Sequence, residues 1–109
     1  MSLVSSQIRL LFLTFRQHDL EYKIQLISET KMGISSSIGT LINVGTDLEP
    51  DSPEMKQLEL RKHKLAQLEK KLDAELTLYQ SQLKMVETES ESVKQMLDKD
   101  IKRAFSYGN

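Results

Sequence analysis

The two histidines are the side chains of this sequence best suited to ligating a metal ion or moving a proton. His18 precedes Asp19, and His63 lies within the basic run 61–64, where neighbouring positive charge disfavours ligation and general-base chemistry. The 109 residues include no cysteine and the two histidines are 45 positions apart, so carboxylates would have to complete a zinc site. We therefore expect no metal site, and histidines that are either exposed or part of a helix seam.

The serines and glycines lack the neighbours that a nucleophilic or phosphate-binding site requires. No serine lies in a Gly-x-Ser-x-Gly elbow, and the series Gly33, Gly39 and Gly45 lacks the lysine of a phosphate-binding loop. The sequence thus predicts no catalytic residue and no cofactor, which indicates that the protein is not an enzyme.

Charge is balanced and argues against a nucleic-acid partner. The chain has 15 Lys+Arg and 16 Asp+Glu, a formal net charge of -1, so it lacks a general attraction to phosphate backbones. A basic patch at 61–64 and 70–71 is offset by the acidic run 87–91. Interleaved charges of this kind are typical of a solvated helix face.

The apolar stretches are too short for a membrane span or a cleaved signal peptide. The run Leu10–Leu13 is flanked by Arg9 and Arg16, whereas a span needs about 20 apolar residues. We expect synthesis in the cytoplasm without a cleaved signal peptide. Residues 8–16 have the composition of an interfacial helix, but a helix packing face is the plainer interpretation, so membrane contact is not expected.

The two prolines mark the one place where a helix must stop and restart. Pro50 ends the preceding helix, Asp51 or Ser52 can cap the next one, and Pro53 suits its first position. The predicted fold is all-α, a single domain over residues 1–109 made of two long helices in a hairpin or coiled coil. Helix 1 is predicted at about 3–47, the turn at 48–53 and helix 2 at about 54–107.

Helix 2 has no glycine or proline from Glu54 to Tyr107, and its apolar residues are mostly spaced by threes and fours. Lys62 and Ser90 fill the polar positions of this seam. At two places, 68-72-76 and 93-97-101, two spacings of four residues follow one another. Such spacings predict local unwinding of a left-handed supercoil. The predicted seam is Met55, Leu58, Leu65, Leu68, Leu72, Leu76, Tyr79, Leu83, Val86, Val93, Leu97, Ile101 and Ala104.

Helix 1 has two overlapping apolar stripes, which predict a buried face that shifts near residues 18–22. His18 occupies the position between Phe15 and Tyr22 in the spacing of the first stripe. Lys31 and Gly45 occupy two positions in the three-four spacing of the second. The first stripe is Val4, Ile8, Leu11, Phe15 and Tyr22. The second is Leu20, Ile24, Ile27, Ile34, Ile38, Leu41 and Leu48. Apolar residues around so much of the circumference exceed what one neighbouring helix can cover.

Residues 33–46 are the weakest part of helix 1, because three glycines there each cost about 0.8–1.0 kcal/mol relative to alanine. Three interpretations compete: a helix whose small residues permit close backbone approach, a frayed helix end, or an extended segment. The spacing of Ile34, Ile38 and Leu41 favours helix at least through Leu41.

Large apolar residues also lie near residue 105, where a partner surface is needed to cover them. The alternative is that they pack on helix 1 of the same chain. The residues predicted to form a protein interface are Ile8, Leu11, Phe15, Leu20, Ile24, Ile27, Ile34, Ile38, Leu41, Leu97, Ile101, Phe105 and Tyr107.

Three segments resemble the needle subunits of bacterial type III secretion systems: the 50–53 turn, the stretch 79–83 and the stretch 93–105. The resemblance covers about half of the chain, and this sequence continues past the phenylalanine-arginine ending of that family. It implies export as an extracellular filament. By the same resemblance, Lys94, Lys99, Lys102 and Phe105 would line the lumen or contact neighbouring subunits.

The sequence therefore predicts a non-enzymatic structural protein, a self-assembling helical subunit of a filament or secretion-linked assembly. Its expected partner is itself. The alternative is a coiled-coil adaptor or chaperone that binds the helices of another protein.

Overall fold

The computed structural model describes residues 2–107, in which two long helices pack as a hairpin. Helix α1 spans Leu3–Gly45 and helix α2 spans Pro53–Tyr107. The predicted all-α hairpin is thus confirmed. Helix α1 ends two residues before the predicted position 47, and α2 begins one residue before the predicted position 54.

The connection between the helices is built from local hydrogen bonds. The Ser52 amide donates to the Glu49 carbonyl over 3.3 Å, and Asp51 has a φ of 66°. A proline at the second turn position and a positive φ at the third are the pattern of a type II turn. Ser52 then caps α2, since its Oγ accepts from the Met55 amide at 3.1 Å.

The glycine-rich part of α1 is helical through Gly45, as favoured from the spacing of Ile34, Ile38 and Leu41. One interpretation of this segment was that its small residues permit close backbone approach, and this does not hold for all three glycines. Among the described residues, a Cβ added at Gly33 or Gly39 would meet no atom within 4 Å beyond its own stretch of helix, so these two positions serve no close approach within the chain. At Gly45 an added Cβ would lie 3.5 Å from Leu58 Cδ2, an ordinary contact.

The buried face of α1 does not shift near residues 18–22, so that prediction was wrong. The half-buried and buried positions continue upstream from Leu20 with the same spacing of three and four. They form one heptad repeat, the α1 seam: Leu3, Ser6, Leu10, Leu13, Gln17, Leu20, Ile24, Ile27, Lys31, Ile34, Ile38, Leu41, Gly45 and Leu48.

The seam of α2 is equally regular, so the two predicted four-residue steps are also wrong. Glu69 and Asp100 are half-buried, whereas Leu68 and Ile101 are exposed. Two helices that interlock along a 3.5-residue repeat must keep the same period. The α2 seam is Met55, Leu58, Lys62, Leu65, Glu69, Leu72, Leu76, Tyr79, Leu83, Val86, Ser90, Val93, Leu97 and Asp100.

The chain divides into two compact units, each with a segment of both helices. The first comprises Met1–Lys23 with Tyr79–Asn109, and the second comprises Ile24–Leu78. The first has Leu13, Leu20 and Val93 in its core, and the second has Ile27, Ile34 and Leu58. Each unit also has an ion pair between its helices: Arg9 with Glu89 in the first and Lys31 with Asp73 in the second.

Candidate protein-interaction surface

An apolar stripe on α1, within the first unit, is exposed to solvent. Val4 is 63 % exposed, Ile8 60 %, Leu11 53 %, Phe15 63 % and Tyr22 65 %. Together with His18, which is also exposed, we call these residues the outer stripe. It is the first of the two stripes predicted for helix 1, but it is separate from the seam.

The outer stripe lies on nearly the opposite side of α1 from the seam. Successive helix residues turn by about 100°, which places the mean direction of positions 4, 8, 11, 15, 18 and 22 roughly 150° from that of the seam. Because α2 covers the seam, the same hairpin cannot also cover the outer stripe. The first unit therefore presents an unpartnered helical face with a 3-4 repeat of its own.

The predicted interface residues separate into two groups. Leu20, Ile27 and Ile34 are buried between the helices, and Ile24, Ile38, Leu41 and Leu97 are half-buried there. Ile8, Leu11, Phe15, Ile101 and Phe105 are exposed. The Tyr107 side chain lies outside the described part of the chain. The first group holds the hairpin together, and the exposed group is available to a partner.

In the α1 seam, the residues that sequence reasoning missed are Leu3, Ser6, Leu10, Leu13 and Gln17. Ser6 is fully buried, and its Oγ donates to Asp100 Oδ2 over 3.4 Å. The signal that could have identified them is the 3-4 spacing extended upstream from Leu20, which runs through Gln17 and Ser6 despite their polarity.

Phe12 and Phe105 enlarge the exposed apolar surface of the first unit. Phe12 is 70 % exposed and lines a shallow groove with Ser5, Ile8 and Arg9. Phe105 is 73 % exposed, and Ile101, one turn earlier, is 37 % exposed. Helix 1 of the same chain therefore leaves most of Phe105 and part of Ile101 uncovered.

Two arginines of α1 flank the seam of the first unit and bond to α2. Arg9 forms its ion pair with Glu89, with Nε donating over 3.0 Å, and Arg16 Nη2 donates to Gln82 Oε1 over 3.2 Å. The Arg9 and Glu89 side chains are both 45 % exposed, so the pair contributes at most about 1 kcal/mol. These bonds direct both arginines toward α2 rather than across the stripe.

The histidines and carboxylates of the described residues do not converge on one place. Within residues 2–107, no three His, Asp or Glu side chains come together in a group that could hold a metal ion. Both histidines are exposed. Neither described helix contains an apolar stretch of the length that crosses a membrane.

Comparison with known proteins adds no relative: the chain matches no protein-family model, no curated protein and no solved structure. The exposed surface of the first unit is therefore the basis of the functional proposal.

Proposed function

We propose that this protein is a non-enzymatic structural subunit that assembles with copies of itself through exposed helix faces. The observation that carries the proposal is the outer stripe, a heptad-spaced apolar face on the side of α1 away from α2. A 3-4 repeat of large apolar residues is what a helix needs to receive another helix.

The size of the exposed surface supports an interface. An aromatic side chain carries roughly 150–250 Å², so the outer stripe and Phe12 together expose on the order of 700 Å². The largest apolar patch on an ordinary monomer is about 300–600 Å². A stable interface buries about 800 Å² on each partner, which this surface nearly supplies by itself.

The form that we propose for the assembly is a filament. The resemblance of the 50–53 turn and the 93–105 stretch to needle subunits favours a filament, exported in connection with secretion. The exposed Phe105 is in keeping with a subunit contact near the end of α2. The alternative is a coiled-coil adaptor, in which the outer stripe receives a helix of a different protein.

Sedimentation and electron microscopy of the concentrated protein test this proposal. We expect large polymers whose mass rises with concentration. The double variant Ile8→Asp, Phe15→Asp should remain small with unchanged helicity, because both side chains are exposed and a buried, unpaired carboxylate in the assembly costs several kcal/mol.

Two further variants serve as controls. Leu60 is 53 % exposed on α2 and lies outside the outer stripe, so Leu60→Asp should assemble like the unmodified protein. Ile27 is 8 % exposed, so Ile27→Asp should lose helicity itself. An unmodified protein that stays a dimer or tetramer at high concentration would contradict the filament, and one that stays a monomer would contradict self-assembly and favour the adaptor.

A further inference from the structure

We infer that the outer stripe pairs with the outer stripe of a second copy, with the two α1 helices antiparallel about a two-fold axis near residue 13. This inference rests on the proposed function and adds the occupant and its orientation. A two-fold contact of this kind uses the same surface on both copies. In this register Val4 faces Tyr22, Ile8 faces His18 and Leu11 faces Phe15.

Side-chain size favours the antiparallel orientation. Each antiparallel layer combines one aliphatic residue with one ring-bearing residue, so all layers have similar volumes. A parallel pair would instead stack Val4 on Val4 and Tyr22 on Tyr22, which leaves one layer underfilled and another overfilled. Helix interfaces pack best when large and small residues face each other at near-constant volume.

The exposed apolar area is close to what a stable pair buries. The roughly 700 Å² exposed by the stripe and Phe12 approaches the 800 Å² or so that a standard interface takes from each partner. The two copies contribute the same surface, so no additional segment or second protein is needed to cover it.

Disulfide mapping tests the orientation cleanly because the chain has no cysteine of its own. Val4→Cys and Tyr22→Cys are made as separate variants, one carrying a size tag, and are mixed, refolded together and oxidised. The two positions are about 27 Å apart along α1, and a disulfide requires Cα atoms within roughly 7 Å. We expect the mixed product, which links position 4 of one copy to position 22 of the other, to exceed either self-linked product at least tenfold.

A second pair, Ile8→Cys with His18→Cys, repeats the measurement at the next layer inward and leaves Val4 and Tyr22 unchanged. Ala66→Cys, an exposed position on α2, reports random collision and should give only background product. Sedimentation of each reduced variant establishes that it still assembles.

The outcomes separate this inference from the proposed function. Self-linked products of Val4→Cys and of Tyr22→Cys in an assembling protein would show a parallel pair and overturn the antiparallel one. Assembly with background product at all four positions would show that copies meet elsewhere, so the inference fails while self-assembly stands. A protein that remains a monomer at every concentration would overturn both.

Discussion

At the scale of single residues, the connection between the helices is decided by Pro50, Asp51 and Ser52. The sequence left Asp51 and Ser52 as equal candidates for the cap of α2. The structure assigns the cap to Ser52, whose Oγ accepts from Met55. Asp51 cannot take this role, because its φ of 66° places it at the third position of the turn.

Removing the Ser52 hydroxyl should therefore weaken the hairpin without changing its surface. We expect Ser52→Ala to lower the free energy of unfolding by about 1 kcal/mol, since one amide of the first turn of α2 loses its acceptor. Chemical denaturation followed by circular dichroism measures the change. Ser52→Asp keeps an acceptor and should retain most of the stability, whereas Asp51→Asn should leave the cap intact. Equal stability of Ser52→Ala and the unmodified chain would contradict the assignment.

At the scale of the helices, the fold was predictable and the buried face was only partly so. Proline placement and the run without glycine or proline defined both helices to within two residues. The seam upstream of Leu20 was missed because Ser6 and Gln17 are polar, while the outer stripe is the more apolar of the two faces. Burial follows the period shared by two paired helices, and Glu69 is half-buried in place of Leu68 for that reason.

The exposed glycines of α1 make a second prediction about the helices. Neither Gly33 nor Gly39 has a positive φ, and a Cβ at either position would meet no described atom within 4 Å beyond its own stretch of helix. Gly33→Ala combined with Gly39→Ala should therefore raise the free energy of unfolding by about 1.5–2 kcal/mol, through helix propensity alone.

Thermal unfolding in the Ile8→Asp, Phe15→Asp background measures this effect on the unassembled chain. Ala66→Gly, at an exposed position of α2, should lower stability by about 1 kcal/mol and calibrates the scale. An unchanged or lower melting temperature for the double alanine variant would indicate that the glycines are needed for a reason beyond helix propensity.

At the scale of the whole molecule, the charged and apolar residues are unevenly divided along the chain. Residues 1–53 contain 10 charged residues and residues 54–109 contain 21, so the net charge of -1 combines an apolar segment with a zwitterionic one. A hairpin covers one face of each helix, and the apolar segment has two such faces. The outer stripe of the first unit is apolar and stays exposed in the single hairpin, and this is the physical reason to expect assembly.

A two-fold contact through the outer stripe closes on itself and yields only pairs, so an open filament requires a second, different contact. Phe105, 73 % exposed and preceded one turn earlier by the exposed Ile101, is the surface we assign to it. The variant Phe105→Glu should therefore leave soluble pairs. Losing roughly 1.5–3 kcal/mol of burial per contact raises the threshold, the protein concentration at which polymers form, by about one to two orders of magnitude. Sedimentation across a concentration series measures this threshold, and Gln95→Glu, which adds the same charge at an exposed position of α2, should leave it unchanged. If Phe105→Glu polymerises at the unmodified threshold, Phe105 lies outside the second contact. If it yields monomers instead of pairs, Phe105 belongs to the first contact, and the two-fold pairing through α1 alone is insufficient.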